Sequence, residues 1–250
     1  MHDEFETGEL NVFTYLERVK YRYGLNTADF WCVPGKATLP TLEKPFLEKV
    51  KQRMKDMDLT LVNMAVDDAC IWGDSPEETE QHYKNAKDFL QAAAFLGAKT
   101  VRIDFGGRKL DMTEEQFDLI VKRYKEYCQF AYDNGFKVGP ENHFGPSLAP
   151  RNQKKVIEAV DHPAYGVLLH MGRWHEDLEN GDNVVLPWVM HTHFNVDGPQ
   201  PHGWPFNVVV DKLAALLDSG YQGCLGIEAG YAPVEVGWQV ESVRRALYHI

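Results

Sequence analysis

The strongest constraint in this chain is a regular exchange of short apolar runs for amphipathic segments of helical period, sustained from one end to the other. Apolar runs at 28–33, 59–66, 100–105, 137–143, 165–171, 188–194 and 224–229 read as strands. Helical periodicity fills the intervals, at about 11–23, 41–56, 76–96, 113–134, 152–160, 206–219 and 234–248. Gly24 stops the first helix, and the long helix opens after Ser75-Pro76 with acids in its first turn and ends before Gly97. Strands separated by a helical crossover pair in parallel, with the helices packed outside.

Two parallel architectures satisfy that order. A doubly wound nucleotide-binding sheet needs a glycine-rich turn after its first strand, and neither GxGxxG nor a P-loop pattern follows 28-ADFWCV-33. A TIM (β/α)8-type barrel needs no such turn and gathers its chemistry at the C-terminal strand ends. Seven strand candidates are one short of eight. The first barrel strand is therefore expected to be missing, very short or supplied from outside this chain. No linker or low-complexity stretch divides residues 1–250, which reads as a single domain.

Composition excludes several functions. The chain is 44% hydrophobic and 25% charged, ample for a core, and its formal net charge is -11. Gripping a phosphate backbone would work against that charge, so no nucleic-acid partner is expected. Cys32, Cys70, Cys128 and Cys224 lack CxxC spacing and read as reduced thiols, consistent with a cytoplasmic location. The first ten residues are acidic and polar, and no apolar run is long enough to cross a bilayer.

Polar groups concentrate at the ends of the later strands. Glu141 and His143 end one strand, His170 the next, His191 and His193 the one after, and Glu228 the last. Alternate strand residues share a face, so His143 points with Glu141, and His191 with His193. Carboxylates and imidazoles converging in one mouth are mixed donors for Mn, Co, Fe or Zn. Asp67, Asp68 and Asp104 end earlier strands, with Arg102 just inside. The loops above carry Arg173, His175, His202 and Trp204, cations and aromatics suited to a hydroxyl-rich ligand.

The ENH of 141-ENHFG-145, the HxH of 191-HTHF-194, the run 219-SGYQGCLGIEAGY-231 and the strand and helix order together resemble the xylose isomerase-like TIM barrels, the sugar phosphate isomerases and epimerases. The resemblance implies a divalent metal, often Mn, with Co, Fe, Zn or Mg as alternatives. Glu141, His193 and Glu228 would take three ligand places; His170 falls where the family usually has Asp, and His191 is the alternative to His193. The implied chemistry is proton abstraction beside a carbonyl, giving an enediolate, with Glu141, Glu228 and His143 as proton carriers. Arg102, His191, Arg173, His175, His202 and Trp204 would contact substrate: a sugar, polyol or glycoside. The alternatives are a lyase of the same superfamily, a C-glycoside deglycosylase or inosose-type dehydratase working with a partner subunit, and a non-catalytic sugar-binding barrel. Family barrels commonly pair, so a homo-oligomer is also expected.

Overall fold

The computed structural model describes residues 2–194, 205–228 and 233–250. Its strands are β1 (Thr27–Val33), β2 (Lys36–Ala37), β3 (Thr60–Val66), β4 (Thr100–Ile103), β5 (Lys137–Gly139), β6 (Val167–His170), β7 (Val189–Phe194) and β8 (Leu225–Ile227). All seven expected strands form, joined in two parallel ladders in the orders β1-β3-β4-β5 and β6-β7-β8. The two-residue β2, which apolar periodicity does not mark, folds back antiparallel on β1.

The seam between the ladders has a chemical cause. Pro140 has no N–H to donate, so β5 ends at Gly139 and the pairing continues only through isolated bridges, Val138 with Tyr165 and Glu141 with Leu168. Gly139 is needed there: a Cβ on it would meet the Gly166 carbonyl oxygen at 1.7 Å. Pro140 still accepts from Leu168 N at 2.8 Å, which carries the backbone across and sets Glu141 beside β6.

Helices cover the outside as the alternation requires. The longest, Pro76–Leu96, is capped by the Ser75 hydroxyl on Glu78 N, has Pro at its start and ends on left-handed Gly97. The next, Glu114–Asp133, opens on a Thr113/Gln116 capping box. Phe89, Leu90, Ala93, Ile120, Tyr124 and Cys128 on these helices are buried with Met64, Val101 and Ile103 from the strands in one large core. A second core, around Leu169, Trp174, Phe194, Leu213 and Leu216, underlies the three-stranded ladder.

Among the described residues no strand precedes Thr27; the segments His2–Glu6, Val12–Glu17 and Arg18–Arg22 are helical. β8 and β1 share no ladder, and on this side Tyr23 packs with Val236 and Val240 of the last helix, Pro233–Leu247. No helix among the described residues is long and apolar enough to cross a membrane.

Candidate metal centre at the strand ends

Period-two alternation carries one file of side chains from each strand into the mouth. From β1 come Asp29 and Trp31, from β3 Ala65 with Asp67 beyond its end, from β4 Arg102, from β7 His193, and beyond β8 Glu228. With Phe5, Tyr15, Thr38, His143 and Ile227 they line a cavity of about 180 Å³.

Glu141 lies at the heart of the mouth with only 1% of its surface exposed. Its Oε1 is 3.2 Å from His170 Nδ1, 3.4 Å from Arg173 Nη1 and 3.5 Å from His193 Nδ1, while Oε2 faces Arg102 Nε at 3.5 Å. Glu228 Oε2 approaches the same His170 Nδ1 at 3.0 Å. One donor atom from each of Glu141, His170, His193 and Glu228 lies within 4.8 Å of the others. Asn142 fixes the backbone around them: its amide nitrogen donates to the His170 and Arg173 carbonyls, and its oxygen accepts from His170 N.

Burying a carboxylate costs several kcal/mol unless opposite charge and hydrogen bonds offset it. Burial alone would raise the Glu141 carboxyl, but His193, His170 and Arg102 hold it well below the usual range. Glu228 follows the same logic, lowered to about 2 by His170 and His193 against its burial. Burial opposes a proton on His193, yet Glu141 and Asp29 push its value well above that of a free imidazole.

A cation fits this donor set on one specific observation. His193 Nδ1 is buried and has no hydrogen-bond partner, although it faces a carboxylate oxygen. An orphaned buried nitrogen of this kind costs about 1–3 kcal/mol. A metal ion taking the place of the proton on Nδ1 would remove that cost, and two carboxylates with two imidazoles form a mixed oxygen and nitrogen set suited to Mn, Co, Fe or Zn.

A second network supports the first. Arg102, buried, donates through Nη1 to Asp67 Oδ1 at 2.8 Å, Asp104 Oδ2 at 2.9 Å and the Val66 carbonyl at 3.2 Å. Trp31 Nε1 donates to Asp67 Oδ2 at 2.7 Å. Asp104 also receives Glu141 N and lies 3.0 Å from His143 Nδ1. Burial disfavours the His143 cation, but Asp104 outweighs it and raises its value.

A family model for the xylose isomerase-like TIM barrels matches residues 19–246. The chain belongs to this family. No curated protein sequence matches it. Solved xylose isomerase-like folds share its architecture at low identity. One from Mycobacterium smegmatis in complex with magnesium is 17% identical, TM-score 0.71, covering 94% of this chain and 89% of its own. A 3-keto-D-glucoside 4-epimerase from E. coli is 15% identical, TM-score 0.71, over 95% and 94%. A probable 3-DHS dehydratase from Bacillus anthracis is 13% identical, TM-score 0.66, over 96% and 97%.

Among the residues singled out in the sequence of this xylose isomerase-like barrel, the structure brings together Glu141, His170, Arg173, His193 and Glu228, with Arg102 and His143 beside them. His191 points inward next to His193, their rings 5.8 Å apart. His175 is exposed, its amide bonded to the Leu148 carbonyl. His202 and Trp204 lie outside the described residues. Sequence reasoning passed over Asp29, whose Oδ2 lies 2.9 Å from His191 Nε2 and 3.1 Å from His193 Nε2. The available signal was an acid inside the otherwise apolar run 28-ADFWCV-33, since a charge in a buried strand needs a partner.

Proposed function

We propose that Glu141, His170, His193 and Glu228 hold a divalent cation, and that the protein is a metal-dependent isomerase or epimerase moving a proton beside the carbonyl of a small sugar or polyol. The observation that carries this reading is the convergence of four donor atoms on a point where His193 Nδ1 is buried without a partner. A bound divalent ion supplies Lewis-acid polarisation of a carbonyl or hydroxyl oxygen. With an imidazole, His170, where a third carboxylate would be usual, the set favours Mn, Co, Fe or Zn over Mg.

The protein's own groups divide the remaining work. Glu228, 37% exposed at its side chain, lines the cavity and can carry a proton to or from bound substrate. His143 lines the same cavity with Nδ1 tied to Asp104, so its Nε2 is the atom that exchanges a proton. Buried Glu141, engaged at both oxygens, is better placed to hold than to move. Arg173, its Nη1 3.9 Å from Glu228 Oε2, brings positive charge to substrate oxygens. A cavity of about 180 Å³ suits a small sugar.

The test is solvent exchange. Protein reconstituted with Mn or Zn, incubated with a panel of free keto sugars and inososes in D2O, should place deuterium on the carbon beside the carbonyl, and chelator should stop it. No exchange with any substrate under any metal would overturn the enzyme reading. Exchange followed by loss of water would assign the lyase branch, for which the fold similarity to a dehydratase is the supporting observation.

A further inference from the structure

Asp29 sits in β1, and each of its oxygens is committed. Its Oδ1 accepts from Asn63 Nδ2 at 2.9 Å. The acceptor-only carboxylate sets the amide with its nitrogen inward, and Asn63 Oδ1 in turn lies 2.9 Å from Thr100 Oγ1. The Asp29 carbonyl accepts from the Tyr15 hydroxyl at 2.7 Å. Oδ2 is left for two imidazoles, His191 Nε2 at 2.9 Å and His193 Nε2 at 3.1 Å. This relay runs from β4 through β3 and β1 to β7, and its far end is the candidate ligand His193.

A carboxylate oxygen only accepts, so the His193 nitrogen it meets must carry the hydrogen. An imidazole with hydrogen on Nε2 has one lone pair to offer, on Nδ1. That atom is the buried, unpartnered one facing Glu141 Oε1 at 3.5 Å. We propose that Asp29 is a positioning residue for the centre: it commits His193 to ligate through Nδ1 and holds the ring toward Glu141, His170 and Glu228. The inference rests on the metal-centre reading and deepens it. It also gives His191 a place, as a second donor on the same oxygen that keeps Asp29 aimed between the two rings and itself out of the ligand set.

The same three side chains, Asp29, His191 and His193, also cluster closely enough to hold an ion themselves. The test separates the two arrangements. Wild-type protein labelled with 15N-histidine is loaded with diamagnetic zinc and read by long-range 1H–15N correlation, with H193Q assigning the signal. The expected spectrum shows His193 with a zinc-shifted Nδ1 and a protonated Nε2, at one zinc per chain. Asp29→Asn, which is isosteric, should weaken zinc binding by about 10–100-fold and redistribute the His193 tautomer. Asp29→Glu, which keeps the acceptor, should recover part of the affinity. Zinc bound through Nε2, or unchanged affinity in D29N with the wild-type spectrum, overturns the proposal. So do two zinc ions per wild-type chain with one lost in D29N, which would make Asp29 a ligand. Wild-type protein that binds no zinc, manganese or cobalt overturns the metal-centre reading itself, and is recognised before any variant is made.

Discussion

Arg173 Nη1 lies 3.2 Å from His170 Nδ1, and the same nitrogen reaches Glu141 Oε1 at 3.4 Å and Glu228 Oε2 at 3.9 Å. A tethered cation thus stands among three of the four groups that would ligate a metal ion. Guanidinium does not lose its charge in proteins, so it and a divalent ion compete for the same oxygens.

Arg173→Met should therefore bind manganese more tightly than wild type. Half-exposed charges interact weakly, and about 1 kcal/mol, or roughly fivefold in dissociation constant, is a reasonable size for the gain. Turnover should fall in the same variant, because the group that meets substrate oxygens is gone. Titration calorimetry beside a steady-state assay reads both, and weaker manganese binding would show that Arg173 supports the ligands instead of competing with the ion.

The two carboxylates should separate in their effect on stability. Glu141→Gln removes the fully buried carboxylate that faces Arg102, Arg173, His170 and His193, a loss of about 3–5 kcal/mol when one partner of a buried pair is removed. Glu228→Gln, at a half-exposed rim, loses the contact with His170 and should lower the melting temperature by less than Glu141→Gln does. Both should lose metal affinity by at least about tenfold. Thermal melts in chelator isolate the stability effect, and equal melting shifts for the two variants would contradict the burial argument.

His143→Gln removes a cavity-lining imidazole while leaving all four candidate ligands in place. Metal stoichiometry should stay at the wild-type value. A positioned acid or base contributes about 10²–10⁴-fold, so deuterium exchange should slow by that order at saturating metal. Exchange at the wild-type rate would restrict proton transfer to the carboxylates.

Stability should depend on pH from both sides in metal-free protein. Glu228 is held at about 2 against an ordinary 4.5, so its ionised form stabilises the fold above that ordinary value. That contribution is lost as the pH falls from about 4.5 toward about 2. His193 is displaced upward from 6.5 by Glu141 and Asp29 against its burial, so its contribution is full below 6.5. It drains away as the pH climbs through the raised value. Melting temperatures in chelator should decline in acid and again above neutrality, and saturating zinc should abolish the alkaline decline because a ligated Nδ1 carries no proton. A flat alkaline profile in chelator would contradict this assignment of His193.

Much of the fold was legible because a parallel barrel writes its period twice, once in the apolar strands and once in the helix faces. Glu141, His170, His193 and Glu228 were legible for a related reason: strand ends are local features, and their shared level follows from the alternation. The short β2 hairpin and the truncation of β5 at Pro140 were not, since each depends on which backbone donors find acceptors in space. Asp29 was hidden by distance. Its partners His191 and His193 lie 162 and 164 residues further on, and no local pattern couples positions so far apart. Arg173 was read as a loop residue over the mouth, but the Asn142 hydrogen bonds to the carbonyls of His170 and Arg173 draw that loop in until the guanidinium enters the ligand cluster.

Between β8 and β1 the strands share no ladder, and Asp29 meets the β7 histidines from the β1 side of that opening. The hydrogen bonds that orient His193 in the mouth thus also help to tie the two ends of the strand series together, beside the packing of Tyr23 on Val236 and Val240. A substitution that displaces Asp29 should therefore disturb both. Laboratory selection for a new substrate should accordingly leave Asp29, His191 and His193 untouched and spend its changes on Phe5 and Thr38, cavity wall outside these hydrogen bonds.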